Sequence, residues 1–127
     1  MSLARFTPKR PIKSFQDLEI YQKLLAVSVA VAKRITDEKT IPLALDLPVK
    51  IATAHSYRFS DKIKALAVLE ETMLGCNLLI VYLEQYRDIQ NTDIEVEFFE
   101  EQITSLLSCR WKTMHLARSW EKFSQTI

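Results

Sequence analysis

Ser14-Phe15-Gln16-Asp17-Leu18-Glu19-Ile20-Tyr21-Gln22-Lys23 is the stretch that decides the fold. Ser14 is a helix-capping residue and Asp17 stands three positions on, a capping-box variant whose carboxylate also faces the positive end of the helix dipole. Beyond it, Leu18, Tyr21, Leu25, Ser28, Ala32 and Ile35 make one stripe at helical spacing, and Ile20, Leu24, Val27 and Val31 make a second. The run predicts a first helix over residues 15–36. Two stripes need two covering surfaces, so Ile20, Leu24, Val27 and Val31 are assigned to a subunit interface and self-association is expected.

Downstream, residues 36–42 are polar and read as a connection. A second helix follows over 43–57, interrupted by Pro48, which removes a backbone donor. Residues 58–60 form a brief turn, and Ser60 with Asp61 starts a third helix that continues to about residue 88. Gly75 falls in its middle, where glycine costs about 1 kcal/mol relative to alanine, and close approach of a neighbouring helix is the compensation expected. Thr92-Asp93-Ile94-Glu95 is a capping box after the Gln90-Asn91 turn and opens a fourth helix to about residue 123. Residues 27–32 and 78–83 carry β-branched side chains but no flanking turn residues, and stay helical. The pattern predicts an all-α, antiparallel up-and-down four-helix bundle over 14–127. A basic arm over 1–13 precedes it, with Arg5, Lys9, Arg10 and Lys13, no acid, and Pro8 and Pro11 discouraging regular structure.

Composition agrees with that reading. The chain has 127 residues, 48% of them hydrophobic, and a single glycine, which suits long helices and excludes turn-rich β architecture. A net charge of +1 recommends no polyionic partner for the molecule as a whole, so any such argument rests on local clustering. Cys76 and Cys109 sit singly in apolar helical segments and read as buried thiols; no Cys-x-x-Cys metal spacing occurs. The apolar runs 24–32 and 78–83 fall short of the roughly 20 residues that span a bilayer, and no secretory signal is evident, so a cytoplasmic protein without a membrane span is expected.

Phe15-x-Asp17-Leu18-x-x-Tyr21-Gln22-Lys23 resembles the opening of the bacterial four-helix-bundle proteins encoded in intervening sequences of large-subunit ribosomal RNA genes. Leu47-Pro48-Val49-Lys50-Ile51-Ala52 resembles that family's Ile-Pro-x-Asn-Ile-Ala segment, and Leu74-Gly75-Cys76 its Leu-Gly-Ser. The family's following Glu-Gly is replaced here by Thr53-Ala54, and its asparagine by Lys50. Accessory variability proteins of diversity-generating retroelements share the fold. The resemblance implies a homo-pentameric ring that binds RNA or RNA/DNA and a reverse transcriptase through a basic surface.

Function-bearing chemistry clusters in two places. On the fourth helix Trp111, His115, Arg118 and Lys122 share one narrow sector, with Lys112 at its edge, and Arg110 precedes Trp111 in the chain. Around the turn between helices 2 and 3 stand Lys50, Arg58, Lys62 and Lys64, with His55 and Tyr57. Such basic residues with an interleaved aromatic can hold phosphates and stack on bases. The nucleic-acid-binding set is therefore Lys50, Arg58, Arg110, Lys112, His115, Arg118 and Lys122. The opposing account is that Glu95, Glu97, Glu100 and Glu101 at the start of helix 4 and bases at its end complement the helix dipole. Catalysis finds no motif: His55 and His115 are isolated, the acid-rich 88–101 stretch lacks the Glu-x-x-His of bundle di-iron sites, and one glycine cannot build a phosphate loop. No catalytic residue, metal or cofactor is expected. Two readings stand: a non-enzymatic accessory factor for nucleic acid, or a structural module that docks a protein through helix 1 and the aromatic end of helix 4, where Trp120 and Phe123 lie.

Overall fold

Ser14 and Asp17 form the capping box that the sequence predicts, but what they cap is a single 3-10 turn. In the computed structural model, which describes residues 12–89 and 93–125 with side chains as far as 122, Asp17 Oδ2 accepts from the Lys13 and Ser14 amides at 2.9 and 3.1 Å. Ser14 Oγ accepts from the Gln16 amide at 3.2 Å. The turn covers Phe15–Asp17; Leu18 is then extended at ψ 127°, and helix α1 runs only over Glu19–Arg34. Gln22 Nε2 donates to the Gln16 carbonyl at 2.9 Å, and the Phe15 ring meets Tyr21 edge-on at 4.9 Å, which fastens the turn to the helix.

Helix α2 spans Thr40–Tyr57 and begins three residues before the expected position. Asp37 makes the difference: its Oδ2 accepts from the Thr40 amide at 3.1 Å and the Thr40 hydroxyl at 2.6 Å, and Pro42, in the first turn, lacks a donor where none is needed. Pro48 is buried and does not divide the helix, although the Ala44 carbonyl loses its donor there. Helix α3, Lys62–Ile89, starts where Asp61 caps it by accepting from the Lys64 amide at 3.1 Å. Helix α4 covers Val96–Gln125. Gln90, Asn91 and Thr92, and the basic arm before Ile12, lie outside the described residues.

All four helices feed one apolar core, and no strand occurs among the described residues. Each helix packs on the next and α1 also packs on α4. Ile20, Leu24, Val27 and Val31 are buried within this one chain, Val31 completely, which corrects their assignment to a subunit interface. They have no surface left to offer a second copy. The face of α1 that remains outside carries Leu25 and Val29, each 41% exposed. Ion pairs tie the two ends of α1 to the start and middle of α4: Arg34 to Glu95 in a two-pronged contact at 2.7 and 3.0 Å, and Glu19 to Lys112 at 3.0 Å.

Helix α3 is long and apolar enough, by length and composition, to cross a membrane, which the short runs in the sequence did not indicate. Its inner face, Ala65, Leu69, Thr72, Gly75, Cys76, Leu79 and Leu83, is buried in the core. Its outer face leaves Ile63, Leu74, Leu78, Val81 and Ile89 exposed in one sector.

Candidate functional site

The eight residues from Tyr57 to Lys64 cover the end of α2, the turn over 58–61 and the start of α3, and carry three bases against one acid. The acid, Asp61, is engaged in capping α3. Arg58 closes α2: its Nη1 donates to the His55 carbonyl at 2.6 Å and lies 3.1 Å from His55 Nδ1. A guanidinium has only donors, so Nδ1 must accept, which leaves His55 neutral with its proton on Nε2. Burial, then the Arg58 charge, pushes the His55 pKa below its ordinary 6.5.

The other face of the Arg58 guanidinium lies 4.2 Å over the Phe59 ring, and Phe59 is 86% exposed. Its position follows from the turn, where the backbone between two helices faces no core. Lys64 makes a second pair of this kind, 4.4 Å over the Tyr57 ring. Lys62 Nζ donates to the Trp120 carbonyl at 2.8 Å and so draws the end of α4 to the turn. Arg58, Phe59, Lys62 and Trp120 line a recess of about 200 Å³.

Of the seven residues singled out in the sequence, only Arg58 belongs to this recess. Lys50 is held by Asp46 at 3.2 Å and by Glu71 of α3 at 3.1 Å; partial burial opposes its charge, but the two carboxylates outweigh it and raise its pKa. Lys112 is held by Glu19, whose own pKa the lysine's hydrogen bond lowers. These two lysines are therefore interhelical ties with their charge already neutralised. Arg110 is half-buried, and its Nε makes no hydrogen bond among the described residues. His115 meets Trp111 edge-on, ring centres 3.9 Å apart, on the exposed strip of α4. Arg118 and Lys122 are exposed on the same strip, and Arg118 borders an open recess with Met73, Met114, Glu70 and Glu121. Trp120 is half-buried against the core; the Phe123 side chain is outside the described set.

Phe59 was missed by sequence reasoning. Its signal was an aromatic residue set between an arginine and a serine in a turn, where no packing demand accounts for it.

Among the described residues no group of three or more His, Cys, Asp or Glu could hold a metal ion. Burial raises the thiols of Cys76 and Cys109 to about 12 and about 11, which keeps both protonated near neutrality.

Against protein families, characterised proteins and solved structures, the chain finds no match.

Proposed function

We propose that the protein is a non-enzymatic RNA-binding module, built as an antiparallel up-and-down four-helix bundle, that engages unpaired RNA at the end where α2 turns into α3. The contacts of Arg34 with Glu95 and of Glu19 with Lys112 support the opposed directions of α1 and α4. One observation carries the functional reading: Phe59 is exposed, with the Arg58 guanidinium stacked on one side of it and Lys62 beside it. An exposed ring among bases offers a stacking platform to any nucleobase, while the cations meet phosphates. Binding of this kind has little sequence preference and depends steeply on salt. A reverse transcriptase partner rests on the family resemblance alone.

Anisotropy titration of a labelled, unstructured RNA tests it. With three phosphate contacts on a single strand, the affinity falls about 20-fold for a fourfold rise in salt. Phe59→Ala weakens binding by about 5- to 150-fold, the value of one stacked base, with unchanged helicity. Arg58→Glu with Lys62→Glu abolishes it. An RNA that does not bind at low salt, or that binds Phe59→Ala as tightly as wild type, removes the reading. Such a result favours the second one, a protein-docking module, for which the exposed apolar sector of α3 is the supporting observation.

A further inference from the structure

We infer that the outer strip of α4 is a self-complementary surface on which a second copy of the chain docks, the two α4 helices running in opposite directions about a twofold axis. At 100° per residue, Glu97, Glu100, Leu107, Arg118 and Lys122 all fall within about 40° of Trp111. Acids occupy one half of the strip, bases the other, and Leu107 and Trp111, 47% and 57% exposed, occupy the middle. The pairs Glu97 with Lys122, Glu100 with Arg118, and Leu107 with Trp111 share one midpoint, at Cys109 to within half a residue. Members of each pair also lie on the same flank of the strip or near its centre line. A twofold axis perpendicular to the helices preserves flank and inverts height, so each residue meets its complement in the other copy.

The charged members are available for this. Among the described residues, no salt bridge involves Glu97, Glu100, Arg118 or Lys122. The helix dipole favours the same separation of sign but acts within the first and last turns. Glu100 and Arg118 lie beyond those turns, toward the middle of α4, and the dipole gives no reason to expose Leu107 and Trp111. The exposed sector of α3 is larger and more apolar, yet it fits any apolar partner, whereas the α4 strip fits itself. This surface shares no residue with Arg58, Phe59 and Lys62, so it stands apart from the RNA reading. A twofold contact closes at two copies, in contrast to the five-membered ring that the family resemblance implies.

The test is a charge swap read by light scattering. The wild-type chain should show twice its 14.8 kDa mass and fall toward one chain as salt screens the pairs. Glu97→Lys with Glu100→Lys gives an all-basic strip, and Arg118→Glu with Lys122→Glu an all-acidic one. Each double variant should be a monomer with wild-type circular dichroism. An equimolar mixture of the two should return to twice the chain mass, because every charged pair is again complementary. A wild-type monomer, a wild-type ring of more than two chains, a double variant that keeps the wild-type mass, or a mixture that fails to pair overturns the inference.

Discussion

Leu47 Cδ2 on α2 lies 2.6 Å from the point that a Cβ on Gly75 of α3 would occupy. The two helices approach through the missing side chain, and the Leu47 methyl, on a side chain 1% exposed, can give way only by shifting within the packed core. Gly75→Ala gains about 1 kcal/mol of helix propensity but meets an overpacking cost of about 1–3 kcal/mol. The net expectation is a loss of about 1 kcal/mol in urea unfolding, with Gly75→Leu losing the fold. A stabilised alanine variant would show that α2 is free to move away.

His55 makes stability depend on pH. Its folded pKa lies below the ordinary 6.5, so the folded state resists protonation more than the unfolded chain does. Stability is full above about pH 6.5 and declines as the pH falls through the interval between the unfolded and folded values. Thermal melts between pH 7.5 and 5 should show that decline, and His55→Gln should flatten it. By NMR the His55 titration midpoint should lie under 6.5 and move upward in Arg58→Ala; a midpoint at or above 6.5 contradicts the assigned contact.

Cys76 and Cys109 report on unfolding. With thiols raised from 9.0 to about 12 and about 11, ionisation alone slows a thiolate-directed reagent by about a thousandfold and a hundredfold, before shielding is counted. Native protein should therefore leave both thiols unlabelled over hours by a disulfide reagent, Cys109 reacting first, and urea should release both together. Rapid native labelling of either one contradicts its burial.

Sequence pattern reached the elements it could see locally. Asp61 as a cap and Gly75 as a close approach were legible because each signal lies within a few residues. The start of α1 was misplaced by four residues, since nothing in Ser14 to Lys23 announces that Leu18 turns extended. The stripe Ile20, Leu24, Val27 and Val31 was visible, but both stripes of α1 are apolar, and periodicity cannot say which one meets the core. Lys112 reads as a free charge because Glu19 stands 93 residues away in sequence, and Lys50 because Glu71 stands 21 away, although its other partner, Asp46, lies four residues before it. Phe59 escaped because an aromatic in a turn has no period.

The seam between α1 and α4 sets an order in time. Arg34 and Glu95 are 61 residues apart and Glu19 and Lys112 are 93, while α2 with α3 and α3 with α4 are hairpins that can zip locally. Loop-closure entropy then predicts that this seam closes late in folding, with its contacts formed after the transition state. Arg34→Ala should then speed unfolding and leave refolding unchanged. Acid should act through the same door: Glu95, held at about 2 by the Arg34 hydrogen bond, keeps its charge until the pH falls from 4.5 toward that value. On that expectation the α1–α4 seam is the hatch of the molecule, last to shut and first to open, while α1 stays joined to α2 by a local hairpin.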